Sequence, residues 1–365
     1  MLRTALIVLL VLHGLIHLRG SAKSFGWAEV AALPHPISKS AGALWTLGAV
    51  LFCASALLLF RGNDRWWMLA AVAVALSQVL ILQYGRAARF GTVANVLVVL
   101  AMVVAGASWN FRLAYVNAAA QAVQRSSALP AHIVTEADLS PMPLPVQRYL
   151  RASGAVGQAR PRNMRIAFAG EIRSTTGPWM PFTTVQTNTF TTPARFFWMD
   201  AEMKGLPTKG FHAYNNGTAT MRIKLLGLLQ VMEAHGPVMD TAETVTWFND
   251  LCLFAPGALV DERISWTAID DRSAQATFAH NGIRISAVLV FDAQDHLIDF
   301  ISDDRYALLD DQPPRNYRFS TPASEHGAMA GLVLPHYGET VWMLPEGPYT
   351  YGRFRLRSVV YDVVE

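Results

Sequence analysis

The sequence predicts a membrane α-helical module of four transmembrane helices, followed by an α+β domain. In that domain we expect a curved antiparallel sheet, or incomplete β-barrel, with a covering helix. Only 16% of the 365 residues are charged, against about 25% in a typical soluble domain, and the mean hydropathy is +0.25. Residues 1–110 contain long uncharged apolar segments. Beyond residue 162 the apolar side chains change from helical spacing to alternation at every second residue, which is typical of half-buried strands.

The charges divide the chain at the same place. Residues 1–110 hold eight Lys/Arg and two Asp/Glu, and the remaining 22 basic and 25 acidic residues follow them. The pI of 8.9 therefore comes from basic residues beside apolar segments. We expect no nucleic-acid partner, because the second part has no basic stripe. Cys53 and Cys252 lack the spacing of a metal or redox site and leave the redox compartment open.

Four segments approach or reach the length needed to cross about 30 Å of hydrocarbon. The predicted spans, which together form a domain over residues 1–110, are Ala5–Leu18, Ala41–Phe60, Trp66–Leu82 and Thr92–Trp109. The first is short, follows Arg3 and resembles the apolar part of a signal peptide. Because three further spans follow it, we interpret it as a retained anchor.

The orientation of these spans is only weakly encoded. Four crossings place both termini on one side of the bilayer, with four flanking basic residues there and five opposite, which gives no clear positive-inside bias. The two sets are Arg3, Arg61, Arg65 and Arg112 on the terminal side, and Arg19, Lys23, Lys39, Arg86 and Arg89 on the other. We favour an external polar domain.

His13 and His17 are four residues apart and therefore share one face of the first span. Imidazoles inside a span could ligate haem or a metal ion. They could instead form an interhelical hydrogen bond that fixes the packing of the bundle. No carboxylate or further histidine lies in the spans, and we favour the hydrogen bond.

A helical linker is predicted over residues 111–160. Residues 111–127 are alanine-rich and continue the fourth span as a polar helix, which Pro130 follows. Pro141, Pro143 and Pro145 then lead into a short helix over Val146–Arg151.

About ten antiparallel strands are predicted for residues 161–365. The alternating or β-branched runs are Met164–Arg173, Phe182–Phe190, Arg195–Met203, Phe211–Asn215, Thr218–Leu225, Ile264–Ile269, Ala274–Ala279, Ile283–Phe291, His296–Ser302, Gly338–Leu344 and Tyr351–Val360. Asn216-Gly217 predicts a tight hairpin turn. One helix interrupts the strands: Asp240–Glu243 fits a capping box at its start, and Pro256 ends it.

Several spaced motifs resemble those of an uncharacterised bacterial family of conserved hypothetical proteins. They are Leu144–Arg151, Gly177–Phe182, Met221–Gly227, Asp303–Tyr306 and the hairpin Trp342–Tyr361. The match covers Leu144–Tyr361, and His13–His17 with the four spans is similar to a subset that carries a membrane module. The order of elements also resembles, more loosely, the half-barrel of Lol-type lipoprotein carriers. That resemblance implies an apolar concavity for acyl chains. Separately, we favour the external, periplasmic side for this domain.

No fingerprint of a hydrolase elbow, zinc protease, phosphate loop or nucleotide site occurs in the polar half. We predict no catalytic residue, cofactor or metal. Asp270-Asp271 and Asp310-Asp311 fit turns. Asp303-Asp304-Arg305 follows a strand and could place a carboxylate against Arg305 inside the concavity. We favour an internal ion pair there over the acid of an enzyme acting on a lipid or envelope substrate.

The aromatic residues of the polar half could form a packed core or line a cavity. We expect the half-barrel to hold an apolar ligand (a lipid, an acyl chain or a lipidated partner) beside the lipid bilayer. The alternatives are the enzyme and the haem or metal protein described above. The candidate cavity residues are Trp179, Phe182, Phe197, Trp198, Trp247, Trp266, Asp303, Arg305 and Trp342.

Overall fold

The computed structural model describes residues 2–31, 33, 35–84, 89–308 and 313–364. Its contacts divide the chain into one compact unit of residues 1–111 with 226–228, and a second of residues 112–225 with 229–365. The carboxylate pair Asp310-Asp311 and the flanking residue Arg86 lie outside the described residues.

Among the described residues, four helices are long and apolar enough to cross a membrane. They are α1 (Leu2–Ser24), α2 (Lys39–Phe60), α3 (Trp66–Tyr84) and α4 (Gly91–Ser127). The four apolar segments are thus confirmed as helices, and α1 is longer than predicted at both ends. α4 continues without a break into its polar part, as expected from its alanine-rich sequence.

Small residues allow α1 and α2 to approach each other closely. A side-chain carbon added at Gly14 would lie 3.1 Å from the Ala49 carbonyl oxygen, and one added at Gly20 would lie 2.3 Å from the Trp45 ring. Such contacts suit helices packed within a bilayer, where close backbone approach takes the place of hydrophobic collapse.

The second unit is built mainly from strands. Its short helices are α5 (Glu136–Leu139) and α6 (Leu144–Ala152), and its long helix is α7 (Pro237–Phe254). The strands are β1 (Asn163–Ile172), β2 (Met180–Thr189), β3 (Ala194–Met203), β4 (Leu206–Asn215), β5 (Thr218–Leu225), β6 (Leu229–His235), β7 (Ile264–Asp270), β8 (Ser273–His280), β9 (Ile283–Phe291), β10 (Leu297–Ser302), β11 (Tyr306–Ala307), β12 (Arg315–Asn316), β13 (Arg318–Ser320), β14 (Ala323–Met329), β15 (Leu332–Leu344) and β16 (Gly347–Tyr361).

Fourteen of these strands form one antiparallel sheet. Its order is β6-β5-β4-β3-β2-β1-β16-β15-β13-β10-β9-β8-β7, with β14 paired to β15. The first and last strands of the domain, β1 and β16, pair at its centre, for example at Ile166 and Val359. Within the described residues β6 and β7 are edge strands that do not pair with each other. The predicted curved antiparallel sheet that does not close is confirmed.

Helix α7 lies against the concave face of this sheet and divides its interior. On one side Phe248 stacks on Phe278 of β8 at a centroid distance of 5.6 Å, and Trp247 contacts the same ring at 5.0 Å in a tilted arrangement. Phe248 also contacts Phe300 of β10. These side chains are fully buried. The half of the sheet from β7 to β10 is therefore a solid hydrophobic core.

The start of α7 differs from the prediction. The helix begins at Pro237 with Gly236 as its N-cap and no side-chain cap, so the predicted capping box at Asp240 is wrong. Oδ1 of Asp240 accepts a hydrogen bond from the Ala219 backbone N–H at 2.6 Å instead, and Glu243 binds Arg195. Both carboxylates that the capping-box pattern assigned to the start of α7 thus bind residues of the sheet instead.

Candidate functional site

A cavity of about 540 Å³ lies on the other side of α7. It is lined by α7 and by residues of β1–β6 and β13–β16, and no described residue of β7–β10 contributes to it. Sites for small ligands have volumes of about 300–1,000 Å³. The domain thus combines a packed half with a hollow half that is large enough for one ligand.

Alternation along the strands aims apolar side chains into the cavity. On β3, Phe197, Met199 and Ala201 face it, because residues two apart lie on the same side of a sheet. Phe182 on β2 is the cross-strand partner of Ala201 and lines the same wall. Six of the 13 methionines also line the cavity: Met180, Met199, Met203, Met221, Met232 and Met239.

Four of the predicted cavity residues come together in this lining, namely Phe182, Phe197, Arg305 and Trp342. Trp198 follows Phe197 and therefore lies on the opposite face of β3, where its Nε1–H donates to Asp200 at 3.0 Å. Both residues were predicted to line the cavity because a run of aromatic residues does not by itself show which side chains point inward.

The other predicted residues lie outside the lining. Trp247 belongs to the packed half and donates to the Thr189 carbonyl at 3.0 Å, and Trp266 packs against that core in a half-buried position. Trp179 lies beneath the guanidinium groups of Arg173 and Arg353, at 4.4 and 4.3 Å from its ring.

The carboxylates of Asp303 and Asp304 do not reach Arg305. The Asp303 side chain is 62% exposed and pairs with Arg318 at 2.8 Å. Oδ2 of Asp304 accepts from the Ser286 backbone N–H at 2.6 Å. The predicted ion pair of Arg305 with Asp303 or Asp304 is therefore wrong, because successive side chains after β10 point in different directions.

A buried charge cluster that the sequence reasoning missed holds α7 to β3. Nε of Arg195 donates to Asp250 at 2.7 Å and its Nη1 donates to Glu243 at 3.0 Å. Gln186 also donates to Asp250, at 2.7 Å, and Nδ1 of His212 lies 3.3 Å from Glu243. Glu243 and Asp250 are seven residues apart, or two helical turns, and so share one face of α7. This seven-residue spacing of two carboxylates in a helix is the sequence signal that could have indicated the cluster.

The two carboxylates of this cluster respond differently to burial. Burial alone would raise the pKa of Glu243, but the charges of Arg195, His212 and Arg305 lower that pKa to about 2. Burial raises the pKa of Asp250 more than the adjacent Arg195 lowers it. Glu243 is therefore the firmly ionised partner of Arg195.

Among the described residues, no carboxylate pairs with Arg305 at the wall of the cavity. Its Nε donates to the Thr246 hydroxyl at 3.1 Å, and its Nη1 donates to the Tyr351 hydroxyl at 2.7 Å. The guanidinium carbon lies 4.2 Å from the Phe319 ring centroid and 5.1 Å from that of Trp342. Neutral hydroxyls and aromatic faces thus hold a positive charge at the wall of an apolar cavity.

Several polar atoms of the lining also lack a partner among the described residues. These atoms are Oδ1 of Asn249, Oγ1 of Thr321, Nε2 of His336 and Oγ1 of Thr340. Asn249 and Thr321 are each only 6% exposed. Buried polar groups are usually hydrogen-bonded, so this wall offers unused hydrogen-bonding capacity to whatever occupies the cavity.

The first unit contains a separate polar network around His13. Nε2 of His13 lies 3.0 Å from Oδ1 of Asn95, and the Asn95 amide donates to Ser77 at 3.1 Å and to Gln78 at 3.0 Å. Nδ1 of His17 lies 2.8 Å from the His13 carbonyl oxygen. The predicted interhelical hydrogen bond is confirmed, linking α1, α3 and α4. Within the described residues no group of three His, Cys, Asp or Glu side chains is placed to hold a metal ion.

Comparisons with known proteins identify a family but no activity. The model of DUF6544, a family of unknown function, matches residues 132–354, in agreement with the resemblance to an uncharacterised family. Among solved structures the chain is similar to "LolA superfamily protein NE2245 from Nitrosomonas europaea", with 7% identity, a TM-score of 0.35, and coverage of 60% of this chain and 94% of that one. No curated protein matches.

Proposed function

We propose that this chain, which belongs to the DUF6544 family of unknown function, is a membrane-tethered binding protein whose open half-barrel holds the apolar part of one lipid-like ligand. The observation that carries this proposal is the cavity of about 540 Å³ between α7 and the sheet. Occupation by an acyl chain would remove its apolar wall from water, at a gain of about 25 cal/mol per Å².

The composition of the wall supports an acyl chain over a rigid ligand. Methionine is unbranched and has a polarisable thioether, so it adapts to irregular or variable shapes. Six methionines line the cavity, and Phe182, Phe197 and Met199 form a small buried cluster within this lining. A flexible chain in several conformations would find contacts with such a wall.

The apolar helices supply the second part of the proposal. We infer that α1 to α4 span the bilayer of a bacterial envelope and keep the binding domain beside a supply of lipid. The length and composition of these helices support this inference. The ligand would be a membrane lipid or the acyl group of a lipidated partner.

Blocking the cavity tests this function. Ala201→Phe places a ring into the lining, whereas Thr183→Phe adds the same ring to an exposed position on the outer face of the neighbouring strand. The full chain, in phosphatidylcholine nanodiscs, is photo-cross-linked to a diazirine-bearing hexadecanol, and the labelled peptides are mapped by mass spectrometry.

In the parent chain we expect cross-links on α7 and on the inward positions of β3 and β5. Ala201→Phe should reduce them about tenfold, equivalent to about 1.4 kcal/mol of binding free energy, and Thr183→Phe should leave them unchanged. Absence of cavity cross-links in the parent chain, or equal labelling of both variants, would contradict the proposal.

A further inference from the structure

We propose that the ligand is an anionic amphiphile, and that Arg305 binds its carboxylate or phosphate head group. This inference rests on the proposed function and narrows its ligand class from apolar molecules in general to acidic ones. The two sources of such a head group, a fatty acid and a phosphorylated lipid, share the chemistry that a guanidinium recognises.

The hydrogen bonds of Arg305 leave part of its donor set unused. Nε and Nη1 each have a neutral hydroxyl acceptor, on Thr246 and Tyr351. Among the described residues no acceptor lies on Nη2, and no carboxylate oxygen comes within 4.0 Å of the guanidinium. A guanidinium carries five N–H donors in a planar fork that fits two oxygens of one anion.

Aromatic contacts also hold the guanidinium of Arg305 in place. The guanidinium of Arg305 lies over the rings of Phe319 and Trp342, which are paired across β13 and β15. Cation–π contacts of this kind hold the guanidinium against the wall. They do not use its N–H donors, through which oxygen anions bind.

Arg195, a buried cation in the wall of the cavity, is already neutralised. Arg195 contacts the carboxylates of both Glu243 and Asp250, so its surroundings repel a further anion. The oxygens of Glu243 are taken by Arg195 and His212, and Arg305 acts on Glu243 only through longer-range electrostatics. An incoming anion is therefore favoured at Arg305 and disfavoured at Arg195.

A second, independent observation points to a polar part of the ligand on the same wall. Thr321 follows Phe319 by two residues, is 6% exposed, lines the cavity, and its Oγ1 has no partner among the described residues. A threonine hydroxyl can donate one hydrogen bond to an oxygen anion. The head group would thus have Arg305 and Thr321 as donors while its chain lies against Phe354, Phe182 and Phe197.

Competition for the cavity cross-link tests this inference. The full chain in phosphatidylcholine nanodiscs is labelled with the diazirine-bearing hexadecanol in the presence of hexadecanoate, hexadecyl phosphate or unlabelled hexadecanol, each at equal mole fraction in the lipid. In the parent chain we expect the anions to compete about 10- to 100-fold better than the alcohol, the range for hydrogen bonds to a charged group. The two anions separate a carboxylate source from a phosphate source.

Arg305→Gln should abolish this preference for anions while the alcohol label itself persists, which shows that the domain is folded. Arg305→Lys should retain part of the preference, because it keeps the charge and loses the fork. The matched control is Arg318→Gln, which removes an arginine that is 58% exposed and paired with Asp303 outside the cavity. This control should behave as the parent chain does.

Two results would overturn the inference. One is an anion preference that survives in Arg305→Gln, and the other is a larger loss in Arg173→Gln, since Arg173 also lines the cavity. If the alcohol labels the cavity but anions compete no better, the inference fails and the proposed function stands. If nothing labels the cavity, both fail.

Discussion

Arg195 lies between β3 and α7, with its Nε and Nη1 on two different carboxylates of the helix. Its side chain is 8% exposed, and those of Glu243 and Asp250 are 4% and 9% exposed. Three buried ionisable groups are stable only while each has its partner. Because the same residues line the cavity, this cluster sets the distance between α7 and the hollow half of the sheet.

We expect Arg195→Met to destabilise the protein strongly, by about 3–5 kcal/mol, because it leaves two buried carboxylates uncompensated. Arg355→Met is the matched control: Arg355 pairs with Glu325 at 2.9 Å, but both side chains are 53% exposed, and such pairs contribute about 1 kcal/mol or less. Urea denaturation of the full chain in one detergent, followed by tryptophan fluorescence, measures both.

The triple variant Arg195→Met, Glu243→Gln, Asp250→Asn extends this test. It removes the unpaired charges and should recover part of the lost stability. If Arg195→Met and Arg355→Met lost equal stability, or if the triple variant recovered none, the cluster would not be what holds α7 to β3.

Individual residues also show what sequence patterns could and could not predict. Alternation placed Phe197 and Trp198 in one strand, but the direction of the cavity decides which of them faces inward. The structure places Arg305 in the lining of the cavity, whereas its expected carboxylate partners, Asp303 and Asp304, bind other groups. Arg195 and its partners were missed because the strand and the helix that they join are distant in the chain. The spacing of Glu243 and Asp250 places both carboxylates on one helical face, but it does not identify the arginine that pairs with them.

At the scale of elements, strongly patterned segments were the predictable ones. The four apolar helices, the hairpin at Asn216-Gly217 and the final hairpin of β15 and β16 agree with the sequence-based expectations. β6 was missed because it is an edge strand whose residues are mostly exposed, so it lacks one buried face. β14, with sequence ASEHGAM, has no alternation of polar and apolar residues, and its pairing with β15 determines its conformation.

The turn between β4 and β5 permits a test at this scale. Asn216 and Gly217 have φ values of 52° and 92°, which fit a two-residue turn with both central residues left-handed. Gly217→Ala should lower the free energy of unfolding by about 1 kcal/mol, because alanine is strained at positive φ.

Gly338→Ala is the control for this turn. Gly338 is not among the residues with positive φ, and an added carbon there would meet its nearest neighbour at 3.5 Å, an ordinary contact. The substitution should change stability by less than about 0.5 kcal/mol. The urea midpoints of the two variants measure the difference, and a larger loss at Gly338 would contradict the role assigned to the turn.

The sidedness of the whole molecule is a prediction that the count of basic residues supports only weakly. If α1 to α4 span the bilayer and the binding domain is external, a cysteine replacing the exposed Ser265 should react with a membrane-impermeant maleimide in intact cells. A cysteine replacing Glu29, in the segment between α1 and α2, should react only after permeabilisation. The parent chain serves as the background, since Cys252 is buried and Cys53 lies within α2. The reverse pattern of labelling would place the binding domain in the cytoplasm.

The unclosed sheet has a mechanical consequence. In a closed barrel the diameter is fixed by the number of strands and their stagger, so a wider cargo requires breaking main-chain hydrogen bonds. Here β6 and β7 end the sheet without meeting, and every ladder between them can be kept while the sheet uncurls slightly. If the cavity holds a ligand, as proposed, its capacity does not depend on the number of strands. The contacts of Arg195 with α7, rather than a closed ring of backbone, then limit how far the sheet can open.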